Sequence, residues 1–473
     1  MIDSNAALPV IIQGGMGVAV SSWRLAQAVA SKGHLGVVSG TAIERVVACR
    51  LQEGDPQGDI RRVLARCPLP GLGERVIAAW FRPNGLPAPG VYKPVPLFSL
   101  EPAFDLLELT IAAAFAEVAL AKEAGGQVGI NLLEKIPLPT LPVLYGALLA
   151  GVDWVLMGAG IPRDVPAQLD LLVAGQSAVQ RLNVEGGATA RMAFDPVRFG
   201  VPTVALKRPR FIAIVSSDVL AMSLSRSGGI DGFVVEDPCA GGHNAPPRGG
   251  GTLDEKGEPV YGPRDRVDLS RMCALGIPFW LAGGWGTAAG LALARESGAQ
   301  GVQVGTAFAF CDESGLRPDI RAQVLAEVIA GTSKLFTDPR ASPTGFPFKL
   351  VQLDGSEGGR SADLRERKTC TLGYLRQAYA KPDGGVGWRC GSEPTAHYHA
   401  KGGDTEDCAG RRCICNGLLA SAGHAHATGL NDDVELPIIT AGDDLRDLNR
   451  YLCGKKSYSA ADVIKDLLSA NCV

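Results

Sequence analysis

The sequence predicts an α/β fold, a closed (β/α)₈ TIM barrel with an inserted excursion at 41–100 and a Cys-rich C-terminal extension. Three observations predict it. Short apolar runs alternate with helical stretches through the first 340 residues, and eight such runs can be counted. Their separations are too long for hairpins and suit parallel crossovers. Several runs end in glycine, as strands do when they open into loops that approach a ligand. A doubly wound open sheet is the competing arrangement, but Gly14-Gly15-Met16-Gly17 lacks the glycine spacing of a dinucleotide fingerprint.

In chain order, Pro9 to Gln13 is the first buried strand and ends in Gly14-Gly15-Met16-Gly17. Ser21 or Ser22 is placed to cap the helix from Trp23 to about Ser31, and Leu35 to Ser39 is the second strand. Residues 41–100 break the rhythm. A helical start over Ile43 to Leu51, extended by Ile60 to Arg66, gives way to five prolines and two glycines between Pro83 and Pro96. This reads as an irregular excursion over one barrel face, with a structural flap favoured over a lid. A helix near 103–124 then leads to Gln127–Leu132, one near 141–150 to Trp154–Gly158, and one near 164–174 to a hairpin-like segment at 182–195. Phe211–Val215, Phe233–Val235, Pro278–Ala282 and Gly301–Val304 complete the strands, with helices near 217–227 and over Ala288 to Ser297. Residues 1–340 are therefore assigned to the barrel and 341–473 to the extension.

Composition excludes some functions. Lys and Arg number 46 against 49 Asp and Glu, a net charge of −3, so electrostatics give no case for nucleic acid or an anionic membrane. The apolar stretch from Leu106 to Ala121 carries Glu108 and Glu117, with Asp105 just before it, and reads as a core helix, not a membrane span. Met1 to Asn5 lacks the features of a signal peptide, and twelve cysteines without one suggest a reducing, cytoplasmic setting. A small-molecule substrate is expected, and a homo-oligomer is compatible with the sequence.

Two motifs carry the chemistry. Phe233-Val234-Val235 breaks at Asp237-Pro238, and then Gly241-Gly242 presents His243, the only histidine that follows a glycine pair. Paired glycines let backbone approach a flat ligand where a Cβ would collide. The second motif is a pair of glycine-ended strands in succession, Ala282-Gly283-Gly284 and Val304-Gly305-Thr306. Loops after the last two barrel strands commonly hold phosphate through backbone N–H groups. Thr306 adds a hydroxyl, and Thr287 is placed to cap the next helix.

Gln13-Gly14-Gly15-Met16-Gly17, Gly129-Ile130-Asn131, Ala240-Gly241-Gly242-His243, Gly283-Gly284 and Gly305-Thr306, in this order, resemble the nitronate monooxygenase (2-nitropropane dioxygenase-like) family, which is related to FMN-dependent enoyl-ACP reductases. The resemblance spans about residues 8–335. It implies a flavoprotein oxidoreductase on a TIM barrel, with FMN as cofactor. Gly15 and Met16 would lie against the isoalloxazine, Asn131 would bond its polar edge, and Gly283, Gly284, Gly305 and Thr306 would hold the phosphate. His243 would be the catalytic base, a neutral imidazole that takes an acidic C–H proton or orients a nitronate. The implied reaction oxidises alkyl nitronates with O₂ to carbonyl compounds and nitrite. The alternative is an enoyl-thioester reductase using NAD(P)H.

The extension has a different composition. Arg365 to Leu375 begins a basic, loop-rich region holding Cys370, Cys390, Cys408, Cys413 and Cys415, with His397 and His399. On an extended strand, residues two apart share a face, so Cys413/Cys415 and His397/His399 could each offer paired ligands to a structural zinc or iron–sulfur cluster. No Cys-x-x-Cys pair supports this, and the expected site includes no assigned metal ligand. His424 and His426 read as solvated. Residues 443–471 read as helical, with Leu445, Leu448, Leu452, Val463, Leu467 and Leu468 packing on the barrel.

Overall fold

The eight apolar runs form one parallel sheet in a computed structural model that describes residues 7–361, 370–427 and 434–469. Arg365, residues 1–6 and the last residues of the expected 443–471 helix lie outside the described residues. The strands are β1 (Ile11–Gln13), β2 (Gly36–Ser39), β3 (Val128–Leu133), β4 (Trp154–Gly158), β5 (Arg210–Val215), β6 (Gly232–Glu236), β7 (Phe279–Ala282) and β8 (Gly301–Val304). Each pairs in parallel with its sequence neighbour from β2 to β8, and β8 pairs with β1. The ring closes where Ile12 bridges Leu35, with Gln13 N–H donating to Leu35 O at 3.0 Å. This is the expected (β/α)₈ barrel, and the open sheet is excluded.

The strands read as unbroken apolar runs because both faces are buried. Inside the barrel, Ile12, Val37, Leu156, Ile212 and Val234 pack with Trp154 and Trp280, whose rings meet edge to face at 6.1 Å. Both indoles need a partner for their N–H, and they donate to Gln127 Oε1 and Pro9 O. These tryptophans sit near the starts of their strands, so they fill the lower barrel and leave the C-terminal mouth for a site.

The stretch at 41–100 is more ordered than its prolines imply. Helices Ile43–Gln52, Asp59–Leu64 and Leu72–Trp80 pack on Phe104–Lys122, and only the part after Trp80 is irregular. That long helix is buried on all sides, which explains its lack of a polar face. Its buried carboxylates are paired, Glu108 with Arg75 and Glu117 with Arg50. The hairpin expected at 182–195 spans Ala178–Asn183 and Thr189–Phe194. Thr287 caps its helix through Gly290 N–H. Ser22 stands at the N-cap of Trp23–Ala30 without a side-chain bond, and Ser21 is diverted to the loop after β1.

Residues after 340 pack on the barrel in two places, one of them a second apolar cluster in which Phe348, Leu350, Leu375, Ile414 and Leu419 meet Val18, Ala42 and Val46. Ile439, Leu445, Leu448, Val463 and Leu467 belong to the same apolar cluster as the barrel helices. The helix Ala460–Leu468 packs against both Trp23–Ala30 and Ala288–Glu296, where it closes the outer layer between the first and last parts of the barrel. Leu468 departs from the expected packing face and is 51% exposed. Among the described residues, no helix is long and apolar enough to cross a membrane.

The candidate ligand pairs of the extension are also relocated. His397 and His399 lie on the helix Thr395–Ala400, and Cys413 precedes the helix Ile414–Ser421 that contains Cys415. Residues two apart on a helix point in different directions, so neither pair shares a face. Among the described residues, no three His, Cys, Asp or Glu side chains are placed to hold a metal ion. His424 is buried, with Nδ1 2.8 Å from Glu53, and His426 stacks on Tyr92; neither is solvated.

Candidate functional site

A cavity of about 490 Å³ opens at the C-terminal mouth of the barrel, a size suited to a cofactor with a small substrate. All ten residues singled out from the sequence line it: Gly15, Met16, Asn131, Gly241, Gly242, His243, Gly283, Gly284, Gly305 and Thr306. They come from the ends of β1, β3, β6, β7 and β8, which only barrel closure brings together.

The loop after β1 is held by Ser21. Its hydroxyl accepts from Met16 N–H at 2.8 Å and donates to Gly14 O at 2.7 Å. Asn131 on β3 donates to Gly15 O at 3.1 Å, while its Oδ1 is buried with no hydrogen-bond partner among the described residues. Gln303 Oε1 on β8 and Asn244 Oδ1 are likewise buried and unpartnered, and both residues line the cavity. Buried acceptors left unsatisfied are costly, so this set calls for a ligand with N–H or O–H donors.

The glycines differ in what requires them. A Cβ at Gly15 would overlap the Asn131 side chain, and one at Gly241 would lie 2.7 Å from Ala441 C, so protein packing already demands both. Gly283 has φ +85° and Gly284 φ +72°, the left-handed region that favours glycine. Gly305 is different. Its φ is −102°, and a Cβ there would meet only Met16 Sδ at 3.8 Å. Nothing among the described residues explains its lack of a side chain.

His243 is fixed by the extension. Gly242 and His243 pair antiparallel with Lys349 and Phe348, and the Phe348 ring meets the imidazole edge to face at 4.8 Å. The ring Nε2 lies 2.7 Å from Ser342 Oγ, which in turn lies 2.8 Å from Thr344 Oγ1. Burial, assisted by the facing Lys135, lowers the His243 pKa to about 3, so the imidazole is neutral at ordinary pH.

Thr306 is engaged by the chain's own tail. Its Oγ accepts from Gly442 N–H at 2.9 Å, and the hydroxyl also bonds the Asp444 carboxylate. Thr440 links the same segment to the His243 loop, accepting from Gly242 N–H at 2.6 Å. Ile414, Leu418, Ile438 and Ile439 add an apolar wall. From the 41–100 stretch only Thr41 lines the cavity, so the cover over this mouth comes from the extension.

Sequence reasoning missed three features here. Glu236, at the end of β6, is half-buried in the cavity wall, and desolvation with the neighbouring Asp237 raises its pKa to about 7. Lys135 follows β3 and points its amine into the buried space. Thr440 to Asp444 returns from the far end of the chain. The first could have been read from two acids closing an apolar strand; the others leave no local signal.

The comparisons with known proteins agree with the motifs. Residues 168–343 match the family model described as nitronate monooxygenase. A probable nitronate monooxygenase of Bacillus subtilis is 34% identical over 122 residues, which are 26% of this chain and 33% of that protein. The chain thus spans about a third of the length of the curated relative it matches. Among solved structures, FabK from Thermotoga maritima aligns with a TM-score of 0.47 and 15% identity over 97% of this chain and 91% of its own. A nitroalkane oxidase from Streptomyces ansochromogenes aligns at TM-score 0.38 and 16% identity, covering 73% of this chain and 76% of its own. The family match contains His243 and the glycines of β7 and β8, whereas Gly15, Met16 and Asn131 fall outside it and join the site through the barrel. Over residues 168–343 this chain is similar to the nitronate monooxygenase family.

Proposed function

We propose that the protein is an FMN-dependent oxidoreductase that oxidises alkyl nitronates with O₂ to carbonyl compounds and nitrite. The observation that carries this reading is the convergence of all ten motif residues on one cavity. The residues fit the cofactor. Asn131 Oδ1 and Gln303 Oε1 offer unpartnered acceptors to flavin and ribityl donors, and Gly305 leaves a cradle that a side chain would fill. In this reading Gly15 and Met16 line the ring's place, Gly241 and Gly242 let backbone approach it, and Gly283, Gly284, Gly305 and Thr306 hold the phosphate. FMN supplies the electron-transfer chemistry that no side chain can provide.

His243 is the proposed base. In the tautomer whose Nε2–H donates to Ser342 Oγ, Nδ1 would carry the lone pair that accepts a proton from the carbon next to a nitro group. Only the neutral nitroalkane has a proton to lose at this step; a preformed nitronate needs only orientation. His243→Ala should therefore keep FMN and lose turnover of the neutral nitroalkane more than of the nitronate. The test of substrate class is anaerobic mixing of the FMN-loaded protein with an alkyl nitronate and, separately, with NADPH and NADH. Bleaching of the flavin by the nitronate supports the proposal. Bleaching by a nicotinamide alone would move the assignment to enoyl-thioester reduction.

A further inference from the structure

Lys135 is a lysine whose charge no acceptor answers. It stands two residues past the end of β3, lines the cavity, and its Nζ is buried without a hydrogen-bond partner among the described residues. It lies over the Phe346 ring, whose centroid is 3.0 Å from Nζ. A ring face attracts an ammonium but satisfies none of its three donors. The neighbouring Glu134 does not form an ion pair with it; it acts only at longer range. A buried, unpaired ammonium is expensive, and its place in a ligand cavity indicates that the missing partner comes from outside.

We propose that Lys135 is the buried cationic contact of this cavity and that it recognises an anionic oxygen of the substrate. The inference deepens the flavin-site reading and rests on it for the identity of the cavity. The other cation that lines the cavity, Arg248, is exposed and its guanidinium donates to Ser216 O and Arg264 O, while His243 stays neutral. The groups that face Lys135 are Glu134 from its own loop and His243 from the segment after β6, with the uncharged Phe346 from the extension. Burial brings the free amine down to a pKa of about 7 despite Glu134. The protonated amine binds an anion, so anion affinity is complete at low pH and is lost as pH rises through the amine's titration.

The test uses the full chain with FMN, nitrite as the probe anion, and Lys135→Met and Lys135→Arg. Nitrite binding is followed by perturbation of the flavin spectrum between pH 5.5 and 9 (conditions chosen to bracket the free amine). Wild type should bind equally below about pH 6 and weaken roughly tenfold per unit well above 7. Lys135→Met should bind at least about tenfold more weakly at pH 6 and lose the pH dependence. Lys135→Arg should bind across the whole range, since guanidinium stays protonated. A second readout is independent of flavin: limited acylation at pH 7.5, quantified residue by residue by mass spectrometry. Acylation of Lys135 should be slowed by nitrite. Unchanged nitrite affinity and pH dependence in Lys135→Met, with normal folding, would overturn the proposal. Absence of flavin binding would sink the cofactor reading instead, and the acylation of the FMN-free chain would still decide on Lys135: no nitrite protection there overturns it.

Discussion

Gly305 separates a glycine required by the fold from one required by a ligand. In the chain itself, Gly305→Ala is permissive: φ is −102°, and the new methyl meets only Met16 Sδ at 3.8 Å. Replacing a compatible glycine by alanine usually stabilises by about 0.4–1 kcal/mol through the unfolded chain, so the FMN-free variant should melt at or slightly above wild type. With FMN present the same methyl enters the proposed phosphate cradle. Overpacking by one such group costs about 1–3 kcal/mol, which is about 5- to 160-fold in FMN affinity. The assay is a fluorescence titration of apoprotein with FMN, alongside thermal melts with and without the cofactor. Gly283→Ala is the contrast: at φ +85°, with a Cβ 3.0 Å from Asp237 O, it should destabilise the apoprotein itself. If Gly305→Ala binds FMN as tightly as wild type, the phosphate is not where the motif places it.

Three further outcomes follow from burial and packing. Burial holds His243 at a pKa of about 3, below its unfolded value, so the unfolded chain binds the extra proton between about pH 6.5 and 3; this contribution to stability is full above 6.5 and falls by about 1.4 kcal/mol per unit below it. Urea melts of His243→Gln should therefore lose less stability than wild type between pH 7 and 5, and an equal loss in both would contradict the burial argument. Gly241→Ala should push the 439–444 segment off the barrel, lowering both melting temperature and FMN affinity, because its Cβ would lie 2.7 Å from Ala441 C. Leu467→Ala should cost about 2–5 kcal/mol while Leu468→Ala stays within about 0.5, as expected if the final helix closes the barrel's outer layer; chemical denaturation distinguishes them.

What the sequence made legible follows from where its information is local. The strands were visible because a parallel barrel buries both of their faces, as in Phe211–Val215 and Phe279–Ala282. The site was visible because glycines at the ends of β6, β7 and β8 mark backbone conformations and close approaches that side chains prevent. The role of 439–468 was not visible: Thr440, Gly442 and Leu467 acquire meaning only beside Gly242, Thr306 and the first helix, which lie far away in sequence. Lys135 was hidden for a related reason, since a lysine just past a strand ordinarily reaches solvent, and here Phe346 from the extension covers it. The histidine pairs misled because spacing was read without the local conformation. Two-residue spacing aligns ligands on a strand and separates them on the helix Thr395–Ala400.

The most direct test of the central claim is the flavin content of the purified chain, measured by absorption and equilibrium dialysis against FMN. One FMN per chain, with affinity reduced in Gly305→Ala, is the predicted result. A folded wild-type chain that neither carries FMN nor takes it up would contradict the account.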